Sequence, residues 1–262
     1  MSKVLAYTPD DIVLAGEWIE SYKGLCIRDG AVGLWMLDQP VGTFAPDSTK
    51  HNNTGTIIGG VTLGEVGPSN TLPKAMGFDG STGYINTPSE LFTDDLTLES
   101  WVWVSGTNPY TADANKGIVG QRIGGNGNMI EASYNGTGWV ILYQVMPNSM
   151  TDFAFTNGIL PLETWTHVVL TQSSRFGTIV YANAVEQATK PTWVGNLNLG
   201  SVPILIGYDT WNAPWRHFPG FLSAVAIYPL ALTPGQIMRH YMLGKTNFER
   251  VTSTGDYMVA AS

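Results

Sequence analysis

The sequence is poor in charged residues, which make up only 13% of its 262 residues, about half the usual share of a globular protein. Its 13 Lys and Arg residues never stand next to one another, and the net charge is −8. Nucleic-acid binding needs clustered positive charge to neutralise phosphates. We therefore expect no nucleic-acid partner.

Cysteine and long apolar runs are also scarce. The single cysteine, Cys26, excludes an internal disulfide framework and a cysteine-rich zinc site. Its apolar neighbours predict a small, buried side chain. No stretch approaches the ~20 consecutive apolar residues of a membrane-spanning helix, so we expect no membrane partner.

The sequence is instead rich in glycine (30 residues) and aromatics (11%), and short apolar runs alternate with turn dipeptides such as Asn157-Gly158. Asn135-Gly136 predicts a tight hairpin with positive φ at both residues. About a dozen short strands with helices only near the ends are typical of a jelly-roll sandwich of two antiparallel sheets. The predicted strands are Ala31–Leu37, 54–58, 61–63, Ala75–Phe78, Tyr84–Asn86, Thr97–Val104, Gly117–Arg122, Met129–Tyr134, Gly138–Gln144, His167–Gln172, Thr178–Ala182, Ile204–Gly207 and Phe221–Tyr228.

Helices are predicted only near the two ends. The acids that follow Thr8 and Pro9 are typical of a helix start and predict a helix over residues 9–23. That helix would pack on the sandwich or on another subunit. At the other end, Thr233 caps a short helix, Pro234 is its first residue, Gln236 completes a capping box and Gly244 ends it. The predicted organisation is an N-terminal helical arm (1–30), a jelly-roll domain (31–244) and a C-terminal extension (245–262).

Several motifs, taken in order, resemble one family. An apolar run leads into a Trp strand at Asp29–Asp38, Phe78-Asp79-Gly80 marks a turn, and Leu96–Val102 places an acid before Trp-Val. Thr164–Thr171 opens a strand with Trp and His, and Phe218–Tyr241 combines the last strand with the short helix. Together they resemble the laminin G-like, concanavalin A-like lectin/glucanase domains of bacteriophage virion proteins.

This resemblance implies an all-β concanavalin A-like jelly roll that binds rather than catalyses. It implies a non-enzymatic structural protein, localised in the virion as capsid decoration or as part of the tail. The implied partners are other virion proteins, further copies of the chain in a homo-oligomer, and host-surface glycans. A stand-alone carbohydrate-binding module is the alternative function.

The sequence departs from the family pattern at one position that matters for metal binding. Many relatives have an acid after the Phe-x-Gly turn, whereas this chain has Ser223 and Ala224, which weakens a metal site carried over from the family. Asp47 and Asp79 remain as turn acids that, together with backbone carbonyls, offer the oxygen ligands preferred by Ca²⁺. The alternative is that both carboxylates cap turn amides.

Local signs of catalysis are missing. A glycosidase needs a pair of carboxyl groups, and neighbours on one face of a strand are alternate residues. The residues two positions before and after Glu99 are not acidic. Glu131 and Glu163 likewise have no acidic residue two positions away. No histidine lies at a metal-binding spacing from another His or Cys. The four histidines are His51, His167, His217 and His240. We expect His167 to be structural and the chain to be no enzyme, and a glycoside hydrolase with acids converging from distant segments is the less favoured alternative.

The best binding candidate is the connector Gly207–His217, in which aromatic and polar residues alternate. Sugars bind by stacking on flat aromatic faces and by hydrogen bonds to amides and carboxylates. In the alternative, its tryptophans plug one end of the sandwich or fill a subunit contact. The candidate carbohydrate-binding residues are Tyr208, Asp209, Trp211, Asn212 and Trp215.

Overall fold

The computed structural model of the protein describes residues 5–8, 11–14, 17–88, 94–106, 114–123, 126–146, 152–190, 202–211, 216–246, 248–251 and 257–260. Within these residues the helices are α1 (Tyr22–Arg28) and α2 (Pro234–Lys245). The strands are β1 (Leu5–Thr8), β2 (Asp11–Leu14), β3 (Glu17–Glu20), β4 (Gly33–Trp35), β5 (Phe44–Ala45), β6 (Gly55–Ile58), β7 (Val61–Val66), β8 (Lys74–Asp79), β9 (Tyr84–Asn86), β10 (Leu96–Val104), β11 (Asn115–Ile123), β12 (Asn126–Tyr134), β13 (Trp139–Met146), β14 (Asp152–Leu160), β15 (Thr166–Ser173), β16 (Gly177–Ala182), β17 (Val185–Lys190), β18 (Ile204–Ile206), β19 (Pro219–Tyr228), β20 (Phe248–Val251) and β21 (Tyr257–Ala260).

Most strands belong to two antiparallel sheets. Sheet I has the order β17-β16-β15-β10-β19-β8-β7, and β4 also pairs with β19. Sheet II has the order β14-β13-β12-β11-β18-β9-β6-β5. Neighbouring strands often come from distant parts of the chain, as where β10 lies between β15 and β19. The predicted jelly-roll sandwich of two antiparallel sheets is confirmed.

Successive residues of a strand point to opposite faces of its sheet. The core is formed by the residues of each sheet that face the other sheet. Sheet I contributes Leu98 and Val102, and sheet II contributes Ile130, Trp139 and Tyr143, all of them buried. Burying each such side chain stabilises the fold by roughly 1.5–3 kcal/mol. The large aromatic side chains of β13 therefore belong to the core.

A second apolar cluster lies on the outer face of sheet I, where α1 and α2 cover it. It contains Tyr22 and Cys26 of α1, Trp101 and Tyr228 of sheet I, and Ile237 of α2. The burial predicted for Cys26 is thus confirmed. Among the described residues, neither helix has the length and apolar character needed to cross a bilayer.

Helix α2 begins as its capping residues predict. Gln236 N donates to Thr233 Oγ1, and Thr233 N donates to Gln236 Oε1 at 2.9 Å, while Pro234 is the first helical residue. The helix ends one residue beyond Gly244. A Cβ atom on Gly244 would lie 2.7 Å from the Trp101 ring, so a glycine there lets α2 pack closely on sheet I.

The predicted short N-terminal helix is confirmed as α1, but its predicted bounds, residues 9–23, are wrong. Residues 11–14 and 17–20 are strands β2 and β3, and α1 starts only after its N-cap, Ser21. Both strands belong to a five-stranded sheet of order β20-β21-β1-β2-β3, in which β1 from the N-terminal segment pairs with β21 from the C-terminal segment. Strand β2 pairs with its sequence neighbours β1 and β3, and this pairing overrides local helix propensity.

The Asn135-Gly136 hairpin joins β12 to β13, but its turn differs from the predicted form. The strands pair up to Tyr134 and Trp139, which leaves a four-residue turn with positive φ at Gly136 only. Asn135 Oδ1 accepts from the amides of Thr137 and Gly138 at 3.0 Å each. The side chain of Asn135 thus stabilises a wider turn than a two-residue type I′ connection.

The predicted turn at Asn157-Gly158 lies inside strand β14. The register of β13 and β14 shifts there, because Val140 pairs with Ile159 and Leu142 pairs with Phe155. A bulge of this kind accommodates glycine within a strand. The turn dipeptide therefore marks an irregularity of the sheet and not the end of a strand.

Candidate functional site

The predicted binding connector joins β18 to β19, and its two ends are fastened together. Tyr208 and His217 form an antiparallel bridge. Phe218 N donates to Gly207 O at 2.9 Å. The connector therefore leaves and re-enters the sandwich at one place, as a closed loop.

An aromatic group lies at the base of this loop. The rings of Tyr208 and His217 stack with centroids 4.0 Å apart and planes 9° apart, and Tyr84 of β9 lies 5.3 Å from Tyr208. Burial lowers the pKa of His217 below its ordinary value of 6.5, so the stacked imidazole is neutral at pH 7. Both tyrosines are partly exposed, which leaves part of this apolar surface open to a ligand.

Asp209 lies beneath the loop and is completely buried. Its Oδ1 accepts from Arg122 Nε at 2.5 Å and from the Trp211 amide at 3.1 Å, and its Oδ2 accepts from Arg216 Nη1 at 2.8 Å. Arg122 of β11 thus fastens the loop to sheet II, and the other two donors belong to the loop itself. The structure gives Asp209 a positioning role, because no oxygen of its carboxylate faces solvent.

Glu131 of β12 extends this network. Arg216 Nη1 also donates to Glu131 Oε1 at 3.1 Å, and Arg122 donates to Gln144 Oε1 at 2.6 Å. Burial, together with the charge and the hydrogen bond of Asp209, raises the pKa of Glu131 well above its ordinary value. We call Arg122, Glu131, Gln144, Asp209 and Arg216 the Asp209 network.

Trp211 is the exposed aromatic residue of the described part of the loop. Its relative exposure is 36%, and the Arg122 guanidinium lies 5.6 Å from the centre of its ring. The buried cation therefore supports one face of an indole that solvent reaches. The other two predicted residues, Asn212 and Trp215, lie outside the described residues.

The turn acids Asp47 and Asp79 both accept hydrogen bonds from backbone amides and hydroxyl groups around them. Asp79 Oδ1 accepts the amides of Ser81, Thr82 and Gly83 at 2.8–2.9 Å, and Oδ2 accepts the two hydroxyl groups of this turn. A carboxylate offers about four lone pairs, so these five donors leave none for a cation. Although burial raises the pKa of Asp79, the turn hydrogen bonds lower it more.

Asp47 is placed in the same way. Its Oδ1 accepts from the amides of Leu34 and Thr49, and its Oδ2 accepts from the Thr49 hydroxyl and from Asn53 N, at 2.8–3.0 Å. These four donors use the four lone pairs of its carboxylate. The geometry of both acids is that of the turn-capping alternative, and it offers Ca²⁺ no free oxygen.

A buried polar cluster that local sequence patterns did not reveal lies between sheet I and the helices. Glu99 Oε1 accepts from Tyr22 Oη at 2.7 Å and from His167 Nε2 at 2.7 Å, and Glu99 Oε2 accepts from Tyr228 Oη at 2.8 Å. His240 Nδ1 of α2 lies 3.0 Å from both oxygens. We call these five residues the Glu99 cluster; His167 is structural in it, as predicted. A glutamate inside β10, a strand in which every residue except Trp103 is buried, was the one available signal.

Cys26, Glu99 and His240 place their ligand atoms within 4.8 Å of one another, which is a spacing that a metal ion can use. Burial, followed by the charge of Glu99, raises the pKa of the Cys26 thiol well above its ordinary value. A protonated thiol is a poor ligand. Both carboxylate oxygens already accept hydrogen bonds, so the cluster fits a hydrogen-bond network better than a metal site.

The structure does bring distant acids together, although not in the manner of a glycosidase. Glu131 and Asp209 meet at Arg216 Nη1. Their side chains have no exposure, whereas a catalytic carboxyl pair must reach the glycosidic bond. The pair acts in the attachment of the loop.

A family of laminin G-type domains, described as the concanavalin A-like lectin/glucanases superfamily, matches residues 79–238, more than half of the chain. No curated protein matches the chain. Many solved structures share its fold.

Three of these structures show the range of similar proteins. Domain 4 of AbnA, a GH43 extracellular arabinanase from Geobacillus stearothermophilus in complex with arabinotriose, has a TM-score of 0.63 and 18% identity, over 81% of this chain and 98% of that domain. The binding domain of Paraclostridial Mosquitocidal Protein 1 has a TM-score of 0.64 and 15% identity, over 82% of this chain and 52% of that one. Trypanosoma rangeli sialidase in complex with sialic acid has a TM-score of 0.59 and 16% identity, over 82% of this chain and 34% of that one. These identities support the fold, and the family match establishes that the chain belongs to the concanavalin A-like lectin/glucanase superfamily.

Proposed function

We propose that the chain is a non-enzymatic, lectin-like domain that binds glycans through the loop between β18 and β19. The observation that carries this proposal is the partly exposed aromatic surface of Tyr84, Tyr208 and Trp211 around that loop. Flat apolar rings beside polar groups are what a sugar ring needs for stacking and hydrogen bonding.

The attachment of the loop supports this proposal. Asp209 accepts the Trp211 amide, while Arg122 contacts both the Asp209 carboxylate and the indole ring. A ligand then meets an aromatic side chain whose backbone already has its final position, so binding loses less conformational entropy.

The similar structures agree with glycans as the ligand class. The arabinanase domain is in complex with arabinotriose, and the sialidase is in complex with sialic acid. Both proteins share the fold with this chain at identities of 18% and 16%. Under this proposal, the chain uses a common scaffold with its own loop residues.

We test the proposed binding with a glycan array, followed by titration of each hit against Trp211→Ala and Tyr208→Ala. We expect both substitutions to weaken binding at least tenfold, because each removes a stacking surface. Phe176→Ala is the matched control, since Phe176 is an exposed aromatic residue (57%) in the turn between β15 and β16. Binding that survives both loop substitutions would overturn the site, and the absence of any glycan hit would overturn the function.

The burial of Glu131 and Asp209 supports a role without catalysis. The array hits are therefore incubated as polysaccharides with the protein, and the release of reducing ends is measured. We expect no release. Turnover that disappears in Glu131→Gln and Asp209→Asn would instead favour the glycoside hydrolase alternative.

We further propose that the chain is a structural component of a phage virion, as capsid decoration or as part of the tail. The resemblance of its ordered motifs to virion proteins supports this location. The pairing of β1 with β21 adds a sheet built from both terminal segments, which offers an attachment to other virion proteins or to further copies of the chain.

The virion location is tested on purified particles. We expect mass spectrometry to find the chain in intact virions, at a copy number that follows their symmetry, and labelled antibodies to mark the capsid or the tail. A chain that is absent from the particles but binds glycans would favour a stand-alone carbohydrate-binding module.

A further inference from the structure

The outer face of sheet I carries a row of four residues on four adjacent strands. Trp103 of β10 lies opposite Phe221 of β19, Phe221 lies opposite Gly77 of β8, and Gly77 lies opposite Thr62 of β7. Directly opposite residues share a face of the sheet. The rings of Trp103 and Phe221 are 4.6 Å apart with planes at 47°, and both are partly exposed.

Glycine shapes a pocket along this row. A Cβ atom on Gly77 would lie 2.3 Å from Thr62 Oγ1 and 3.1 Å from the Phe221 ring, and one on Gly220 would lie 2.0 Å from Trp103 O. No larger residue fits at either position without movement of its neighbours. The resulting pocket has a volume of about 230 Å³, below the ~300–1,000 Å³ of pockets for drug-sized ligands, so it accommodates a single small ring.

The chemistry of the lining selects the ligand class. Asp79 is the one charged residue among those that line the pocket. Its lone pairs already accept hydrogen bonds from its own turn. It therefore gives the pocket a negative charge but no free hydrogen-bond acceptor. An anionic ligand would be repelled there. The Trp103 indole N–H and the Thr62 hydroxyl have no hydrogen-bond partner among the described residues, so both are available to ligand hydroxyl groups.

From this geometry we propose that the pocket is a second glycan site, which takes one ring of a neutral sugar. The apolar face of the ring stacks on Trp103 and Phe221, and its hydroxyl groups bond to Trp103 Nε1 and Thr62 Oγ1. The inference extends the proposed glycan binding to a separate surface. Both surfaces flank one turn, since Asp79 lines the pocket and His217 Nδ1 contacts Gly83 O at 3.3 Å.

The test is ligand-observed saturation-transfer NMR with the methyl glycosides of glucose, galactose, mannose and arabinose, and with glucuronic acid as an anionic comparison. We expect at least one neutral glycoside to bind and glucuronic acid to bind at least tenfold more weakly. Trp103→Ala should weaken neutral binding at least tenfold, and Thr62→Val, which keeps the shape of Thr62, should weaken it severalfold if Trp103→Ala does not fold.

The loop variant Trp211→Ala separates this inference from the proposed function. Monosaccharide binding that persists in Trp211→Ala but is lost in Trp103→Ala supports the pocket, whatever the loop does. Binding that is lost in Trp211→Ala and unchanged in Trp103→Ala and Thr62→Val overturns the pocket and leaves the loop site standing. Equal or stronger binding of glucuronic acid would also overturn the pocket as a neutral-sugar site.

Discussion

Glu99 in sheet I and Glu131 in sheet II are both completely buried, on the face of each sheet that points away from the sandwich core. Around Glu99, two tyrosine hydroxyls donate, and two imidazoles lie within 3.0 Å of its oxygens. Around Glu131, one guanidinium donates to Oε1, and the carboxylate of Asp209 is a second acid beside it. The two glutamates therefore have neighbours of opposite kinds.

Their protonation states differ accordingly. Burial acts to raise the pKa of Glu99, but the positive charge of His240 and the hydrogen bonds of His167 and His240 outweigh it, and the pKa is lowered well below its ordinary value. For Glu131, burial and Asp209 both raise the pKa, and the two arginines lower it by less. Although both are equally buried, Glu99 is ionised and the protonated form of Glu131 is favoured. The neighbouring groups therefore determine the protonation state.

The substitution Glu99→Gln gives the largest effect that this comparison predicts. It removes the negative charge that attracts His240. It also places an amide NH2 group, which cannot accept a hydrogen bond, beside one of the tyrosine hydroxyls. Breaking a buried, charged hydrogen-bond group costs about 3–5 kcal/mol, so we expect a loss of that size in the free energy of unfolding in urea at pH 6. Glu65→Gln, at a partly exposed position of β7, is the control; a loss below about 1 kcal/mol in Glu99→Gln would contradict the prediction.

A second prediction concerns the shared partner of Glu131 and Asp209. In Asp209→Asn, the acid that raises the pKa of Glu131 is gone, so Glu131 can ionise and pair with Arg216, 3.1 Å away. The double variant with Glu131→Gln removes both carboxylates from Arg216. We expect its loss of unfolding free energy to exceed the sum of the two single losses by about 0.5–3 kcal/mol, and additive losses would show that the two acids act independently.

Local parts of the fold could be predicted from the sequence. The spacing of Thr233, Pro234 and Gln236 defines the start of α2 because each contact spans only a few residues. The strands at residues 11–14 and 17–20 were missed although they pair with each other and with residues 5–8, because the acids after Thr8 and Pro9 are also typical of a helix start.

For the proposed loop site, the sequence suggested only the aromatic part. Tyr208 and Trp211 stand out because exposed aromatic residues among polar ones are rare. The burial of Asp209 was hidden, because its partner Arg122 is 87 residues away. The Glu99 cluster was hidden for the same reason, with His240 141 residues from Glu99. Long-range ion pairs leave no spacing pattern in a single sequence.

A third prediction uses the pH dependence of the Glu99 cluster. Burial lowers the pKa of His240, but the charge of Glu99 and the hydrogen bonds of Glu99 and Asp29 raise it above its ordinary 6.5. The stabilisation is therefore complete below pH 6.5 and is lost as the pH rises through the raised pKa, by up to about 1.4 kcal/mol per pH unit. We expect urea unfolding between pH 6.5 and 8 to show this decline.

Substitutions test whether His240 causes this decline in stability. His240→Gln should flatten the curve relative to the native chain, whereas His51→Gln, at an exposed position, should leave its slope unchanged. Glu131 adds a decline of the same sign, so the comparison rests on the difference between variants. Equal slopes in His240→Gln and the native chain would mean that His240 is not protonated in the folded state.

The smallest effect is predicted for Glu131→Gln, although it is the same chemical change as Glu99→Gln. Glutamine has the shape of a protonated glutamate, with one carbonyl acceptor and a donor in place of the acid proton, so the contact with Arg216 is kept. The pKa of Glu131 is raised in the fold, so its contribution to stability is complete below its ordinary 4.5 and is lost as the pH rises towards the raised value. The glutamine variant loses nothing in this range because it does not titrate. We therefore expect a change within about 1 kcal/mol at pH 5 and a gain relative to the native chain at pH 7.5, measured by urea unfolding at both values. A loss of more than 3 kcal/mol at pH 7.5 would mean that Glu131 is ionised like Glu99, and that the neighbouring Asp209 does not control its proton.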